Sequence, residues 1–245
     1  MFNTKNSFIK QRKNTLFLIL GNFFSILIIY IILIQSFNFL CYGYKGFIFR
    51  LMDHCKSYDS LSNVISISKD AAYLAVERMM EFLHNPKMRN LSYVTVINGY
   101  WDEFFSDRTY YHLVDVKNIF IFCLKSSKIF LVPTIIFLTV SILTKNISRL
   151  YRIWKRAFIA FIVILIGLIS FAIINFNNLF VIFHEILFDN DLWLLYPNED
   201  YLINLLPEEF FAKFALCGVI LFLVFGLAFS FFLKTLSRLE AKSDL

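Results

Sequence analysis

Apolar residues come in four long blocks along this chain. No position from 14 to 44 is charged, and the heart of that stretch reads TLFLILGNFFSILIIYIILI. AFIAFIVILIGLISFAIINF (157–176) and FALCGVILFLVFGLAFSFFL (214–233) are equally apolar on every side. Blocks of this length predict helices that cross a hydrocarbon core of roughly 30 Å. A shorter block, IFLVPTIIFLTVSILT (129–144), covers only about 24 Å at ~1.5 Å per residue. Lys125 and Lys128 can snorkel outward and let NIFIFCL, just upstream, add to it. The predicted spans are about 15–39, 127–145, 157–177 and 210–233. The first is read as a retained anchor, because its apolar core exceeds the ~7–15 residues of a signal h-region and no small-residue cleavage site follows.

Between the blocks the pattern changes. SKDAAYLAVERMMEFLH predicts an amphipathic helix with Ser68 as N-cap, Asp70 in the first turn, and Tyr73, Val76, Met80 and Leu83 as its apolar stripe. HNPKMRN breaks it, and LSYVTVINGYW alternates weakly, as a short strand or an extended edge does. The segment from Asp102 then runs without Gly or Pro into the second span. In the loop 178–209, Pro197 and Pro207 punctuate an irregular pattern, and Pro207 before Glu208 and Glu209 suits a helix start. Leu202, Leu205 and Leu206 are expected to tuck a short segment against the membrane surface. The fold class is therefore an all-α integral membrane protein, with four transmembrane helices and a small, mainly helical extracytoplasmic cap (45–126) between the first two.

Composition agrees. Only 17% of residues are charged, against about 25% for a soluble domain. Charge also sets orientation. Lys5, Lys10, Arg12 and Lys13 precede the first span, and Lys145, Arg149, Arg152, Lys155 and Arg156 fill the loop between spans two and three. Lys234, Arg238 and Lys242 follow span four, whereas the loop 178–209 holds no basic residue. The positive-inside rule puts both termini in the cytoplasm and the cap and second loop outside. The net charge of +6 thus reflects topology, and no nucleic-acid partner is expected. Cys41 and Cys55 both fall on the outer side, where a bridge between them is open.

The candidate chemistry lies at the outer ends of the spans. His54 and His84 sit in polar stretches, but His112 and His184 each adjoin a span end among aromatics and acids. In YYHLVDVK, His112 and Asp115 share a helix face, the arrangement in which a carboxylate orients an imidazole base. FHEILF opens like a zincin helix but has Phe188 where the second histidine belongs. A scattered metal set of His112, Asp115, His184 and Glu185 or Asp189 is the alternative. Trp193, Tyr196, Tyr110 and Tyr111 serve either as interfacial anchors or as walls of an acyl pocket.

Together RTYYHLVDVK and FHEILFDNDLWLLYPNEDYLINLLPEEFF resemble the bacterial integral membrane lipoprotein intramolecular transacylases. Thr109 stands where the first motif of that family carries an acid after Arg108. The resemblance implies two catalytic histidines, His112 and His184, with Arg108, Asp115, Asp189, Asp191, Trp193, Tyr196 and Asp200 in support, and no metal or cofactor. It implies a diacylglyceryl lipoprotein as substrate, held in membrane lipid. The sn-2 acyl chain moves to the free α-amine of its N-terminal cysteine and leaves the lyso form. His112 oriented by Asp115 is the assignment of the base, with His184 at the oxyanion or the leaving oxygen and Asp189 or Asp191 positioning it; the reverse assignment stays open beside it. A metal-dependent membrane hydrolase and a non-enzymatic membrane sensor or adaptor are the competing classes.

Overall fold

The computed structural model describes residues 2–44 and 46–243, the first nine of these and the last by backbone only. Lys45, where the expected cap opens, lies outside the described residues, as do the side chains of Lys5 and Lys10. Among the described residues four helices are long and apolar enough to cross a membrane: α1 (Phe2–Asn38), α5 (Asp107–Leu143), α6 (Ile147–Ile174) and α9 (Glu208–Ser243). A π-helical turn, Phe39–Gly43, follows α1. Shorter elements fill the intervals: α2 (Phe47–His54), α3 (Ser57–Ser62), α4 (Lys69–His84), β1 (Val94–Ile97), β2 (Tyr100–Glu103), α7 (Phe176–Leu187) and α8 (Tyr201–Leu205).

The chain divides into two compact units. The first holds residues 1–36, 126–170 and 220–245. Its interior is aromatic: Trp154 stacks on Phe158 at 5.2 Å and meets Phe229 edge-on at 4.9 Å. Trp154 Nε1–H donates to Ser230 Oγ at 2.8 Å, and Gln35 Nε2–H donates to Ser127 Oγ at 3.0 Å. Bilayer-facing helices gain little hydrophobic drive from meeting one another, so close packing and such bonds hold them together. Gly226 lets Phe158 approach closely, because a Cβ there would lie 2.4 Å from the ring. At one end Glu240 accepts hydrogen bonds from the backbone N–H groups of Ile147 and Ser148, closing the open N-terminus of α6.

The second unit, residues 37–125 and 171–219, has its own core. Met52, Leu61, Ala72, Ala75, Val76, Phe82, Phe104 and Leu205 are among its buried members. Ser68 caps α4 by accepting from Ala71 N–H at 3.2 Å. The buried stripe of α4 is Ala72, Ala75, Val76, Met79 and Phe82, with Tyr73, Met80 and Leu83 on its edge. The stripe of large apolar residues passes over the two alanines, which allow close approach. Leu202, Leu205 and Leu206 are buried in this core, and not laid on a membrane surface as the sequence suggests. The weakly alternating segment is a two-stranded antiparallel hairpin in which Val96 pairs with Trp101. Asn98 and Gly99 both have positive φ at its turn, the Asn-Gly preference of tight hairpins. No disulfide joins Cys41 and Cys55.

Two features place the site. α5 is a single helix of 37 residues, about 55 Å long, more than a bilayer requires. Its first turns belong to the second unit. α6 ends at Ile174, three residues before the expected end of the third span, because Asn175 leaves the helical region and its side chain accepts from Asn178 N–H at 3.1 Å. That cap starts α7, a helix inside what reads from sequence as an outer loop.

Candidate active site

Ser106 caps α5, its hydroxyl accepting from Thr109 N–H at 3.0 Å. One and a half turns later His112 points into the second unit and is only 9% exposed. His184 lies in the last turn of α7 and is 7% exposed. The two rings, 72 positions apart in sequence, have centroids 5.9 Å apart. That separation brings both imidazoles within reach of a single reacting group beside them.

Aromatic side chains enclose the pair. Trp193 stacks on His184 at 4.9 Å and 25°, and Phe180 lies 4.2 Å from the same ring. Phe188 meets His112 edge-on at 5.1 Å. His184 Nδ1 lies 2.7 Å from the carbonyl oxygen of Phe180. A carbonyl only accepts, so Nδ1 carries the proton and the neutral ring keeps its lone pair on Nε2. Burial draws the His184 pKa below the usual imidazole value, against the opposing pull of the Phe180 carbonyl. The ring is thus uncharged at neutral pH. Nδ1 of His112 is buried without a hydrogen-bond partner.

The supporting residues take more varied places than the sequence implies. Asp115 does not bond to His112; it accepts from Asn190 Nδ2–H at 3.0 Å. Arg108 donates to the carbonyls of Asp191 at 2.7 Å and Leu194 at 3.3 Å, and lies over the Tyr196 ring. Asp191 therefore contributes its backbone. Asp189 and Asp191 are exposed, and neither carboxylate bonds to His184, whose Nδ1 is taken up by Phe180. Asp200 is buried and accepts from Thr109 Oγ1–H at 3.0 Å, from Tyr196 N–H at 2.8 Å and from the Ser106 hydroxyl. An acid at position 109 would face that carboxylate, which suits the threonine here. Together Asp115, Arg108 and Asp200 fasten the 188–200 loop onto the start of α5, and this loop carries Trp193 to His184. Among the described residues no three His, Cys, Asp or Glu side chains converge as a metal-ligand set, so His112, Asp115, His184 and Glu185 or Asp189 do not form the alternative site.

Asn190 lies inside the second quoted segment but has no role assigned from sequence, Phe180 lies outside both segments, and Phe188 is weighed there only as a missing histidine. Asn190 has a signal: in FDNDLW its side chain accepts from Leu192 N–H at 3.0 Å, an Asx turn.

Four apolar helices and a capped, aromatic-lined imidazole pair define a multi-pass membrane protein with an enclosed polar site. The chain belongs to the lipoprotein intramolecular transacylase (Lit) family, whose family model matches residues 22–211. Membership makes it an enzyme, an acyltransferase of the intramolecular kind for which its family is named. Its fold is that of the membrane integral Lit from Bacillus cereus, with TM-score 0.73 and 23% identity over 96% of this chain and 98% of that one. A histidine-to-alanine form of the Bacillus cereus protein matches with TM-score 0.70 and 23% identity over 98% of each chain. No curated protein matches significantly.

Proposed function

We propose that the chain moves the sn-2 acyl group of an S-diacylglyceryl cysteine to the α-amine of the same residue, with His184 as base and His112 as oxyanion partner. The observation that carries the reading is the Phe180 carbonyl on His184 Nδ1, beside a second buried imidazole 5.9 Å away. With Nδ1 occupied, the basic Nε2 of His184 takes the proton that the amine loses as its C–N bond to the acyl carbon forms. The same proton then goes to the glycerol oxygen as the C–O bond breaks. The unpartnered Nδ1 of His112, as N–H, satisfies the oxyanion between those steps.

Donor and acceptor belong to one molecule. The ring closed in the transition state runs from nitrogen through Cα, Cβ, sulfur, two glycerol carbons and the ester oxygen to the acyl carbon. Holding that chain folded supplies much of the catalysis, since fixed geometry is worth about 7–11 kcal/mol in favourable cases. Aromatic walls with few polar groups suit this task. In this reading the apolar parts of α1, α5, α6 and α9 cross the membrane, both termini are cytoplasmic and the site opens on the outer face. The excess of Lys and Arg at residues 5–13, 145–156 and 234–242 supports that orientation. The substrate is a diacylglyceryl lipoprotein anchored in the same leaflet.

Bacteria that lack lyso-form lipoproteins provide the test. Expression of this chain should convert lipoprotein N-termini to N-acyl, S-monoacylglyceryl cysteine, read by mass spectrometry of the N-terminal peptides. Unchanged diacylglyceryl termini in cells that hold the folded protein would overturn the reading.

A further inference from the structure

α7 is a helix of 12 residues, about 18 Å long, too short to span a bilayer. It is nevertheless strongly apolar, and it buries only His184 fully. At about 100° per residue, Ile182, Ile186, Leu179, Phe183 and Leu187 fall on one arc of roughly 140°. Four of these five are exposed, Ile186 by 77%. Asn177, Asn178 and Glu185 fall on the opposite arc and are also exposed. Phe180 and His184 occupy the seam between the arcs, turned toward the site. The apolar arc follows directly on the last turn of membrane-spanning α6, where Phe171, Ile173 and Ile174 are exposed as well, in the same unit.

We infer that α7 lies in the membrane interface with Ile182, Phe183 and Ile186 among the lipid acyl chains and Asn177, Asn178 and Glu185 in the headgroup layer. Exposed apolar residues on one side and exposed polar residues on the other are the signature of a helix lying along an interface. Continuity with the lipid-facing end of α6 identifies the occupant as acyl chains. α7 has no Lys or Arg, so the attraction is apolar and needs no anionic headgroup. The consequence is positional. The seam between the arcs is the depth at which an ester joins glycerol to an acyl chain, and His184 is on that seam. The helix therefore holds the imidazole level with the bond to be broken, and this deepens the reading of His184 as the base.

The test uses the full chain with Cys41, Cys55, Cys123 and Cys217 replaced by alanine, reconstituted in phosphatidylcholine vesicles. Its acyl transfer first establishes that it is folded. Nitroxides are then attached after Ile186→Cys or Glu185→Cys, and collisions are measured with oxygen, which concentrates in lipid, and with a water-soluble nickel chelate. Position 186 should favour oxygen and position 185 nickel, several-fold each way, and added anionic lipid should leave the contrast unchanged. Nickel-accessible label at 186 would overturn the proposal. So would label at 186 shielded from both reagents, since a second protein surface would then cover the helix. The readout is collision and not turnover, so failure of His184 as the base would leave the contrast intact, and loss of the contrast would leave the assignment of the histidines standing.

Discussion

His184→Ala is expected to slow acyl transfer by about 10²–10⁴-fold, the usual worth of a positioned general base. The alanine removes the lone pair on Nε2 that the Phe180 carbonyl holds ready. His112→Ala is expected to cost about 10²–10³-fold, as the loss of an oxyanion donor does. Both are read as initial rates of lyso-lipopeptide formation in vesicles, with thermal unfolding confirming the fold. The pH dependence follows from the same geometry. A free α-amine ordinarily titrates at about pH 7.7–8.0, and the substrate's must be neutral to attack. Burial keeps the His184 pKa below the usual imidazole value, so that ring is already uncharged where the amine titrates. The rate should rise with pH up to about 8 in the wild type, on a limb that belongs to the amine. A rate unaffected by either substitution would remove the histidines from the chemistry.

The second large effect is on stability. Asp200→Ala removes the acceptor of the Thr109 hydroxyl, the Tyr196 N–H and the Ser106 hydroxyl. A buried donor left unsatisfied costs about 1–3 kcal/mol, and Thr109 is as buried as Asp200, so a loss of about 3 kcal/mol is expected. Asp200→Asn keeps one acceptor oxygen and should lose less. Asp189→Ala is the contrast: Asp189 is exposed, and the change should stay within about 0.5 kcal/mol. Thermal unfolding of the three variants measures these differences. Asp200→Ala should also lower activity at temperatures where the fold persists, because the loop that Asp200 fastens carries Trp193 onto His184.

The membrane helices can be read from the chain because a bilayer demands about 20 consecutive apolar residues, a demand met outright by three blocks and by the block 129–144 only with NIFIFCL upstream added. α7 is hard to see for the complementary reason. LFVIFHEIL is too short to span and so reads as loop, although Asn175 stands ready as its N-cap. The hairpin carries its Asn98-Gly99 signal openly. What the chain cannot supply is distance. Nothing in YYHLVDVK says that Asp115 pairs with Asn190, 75 positions away. The tautomer of His184 is equally hidden, because the group that sets it is a backbone carbonyl, and a carbonyl looks the same under every side chain.

An isotopically labelled sn-2 acyl chain on a diacylglyceryl lipopeptide tests the central claim most directly. The lipopeptide is incubated in vesicles with the wild-type protein and with the His184→Ala and His112→Ala variants, and every labelled product is counted by mass spectrometry. The label should appear as amide on the cysteine nitrogen of the same molecule, with none released as free fatty acid, and both variants should lose the product. Label recovered as free acid, or an amide yield that survives the loss of either imidazole, would contradict the account.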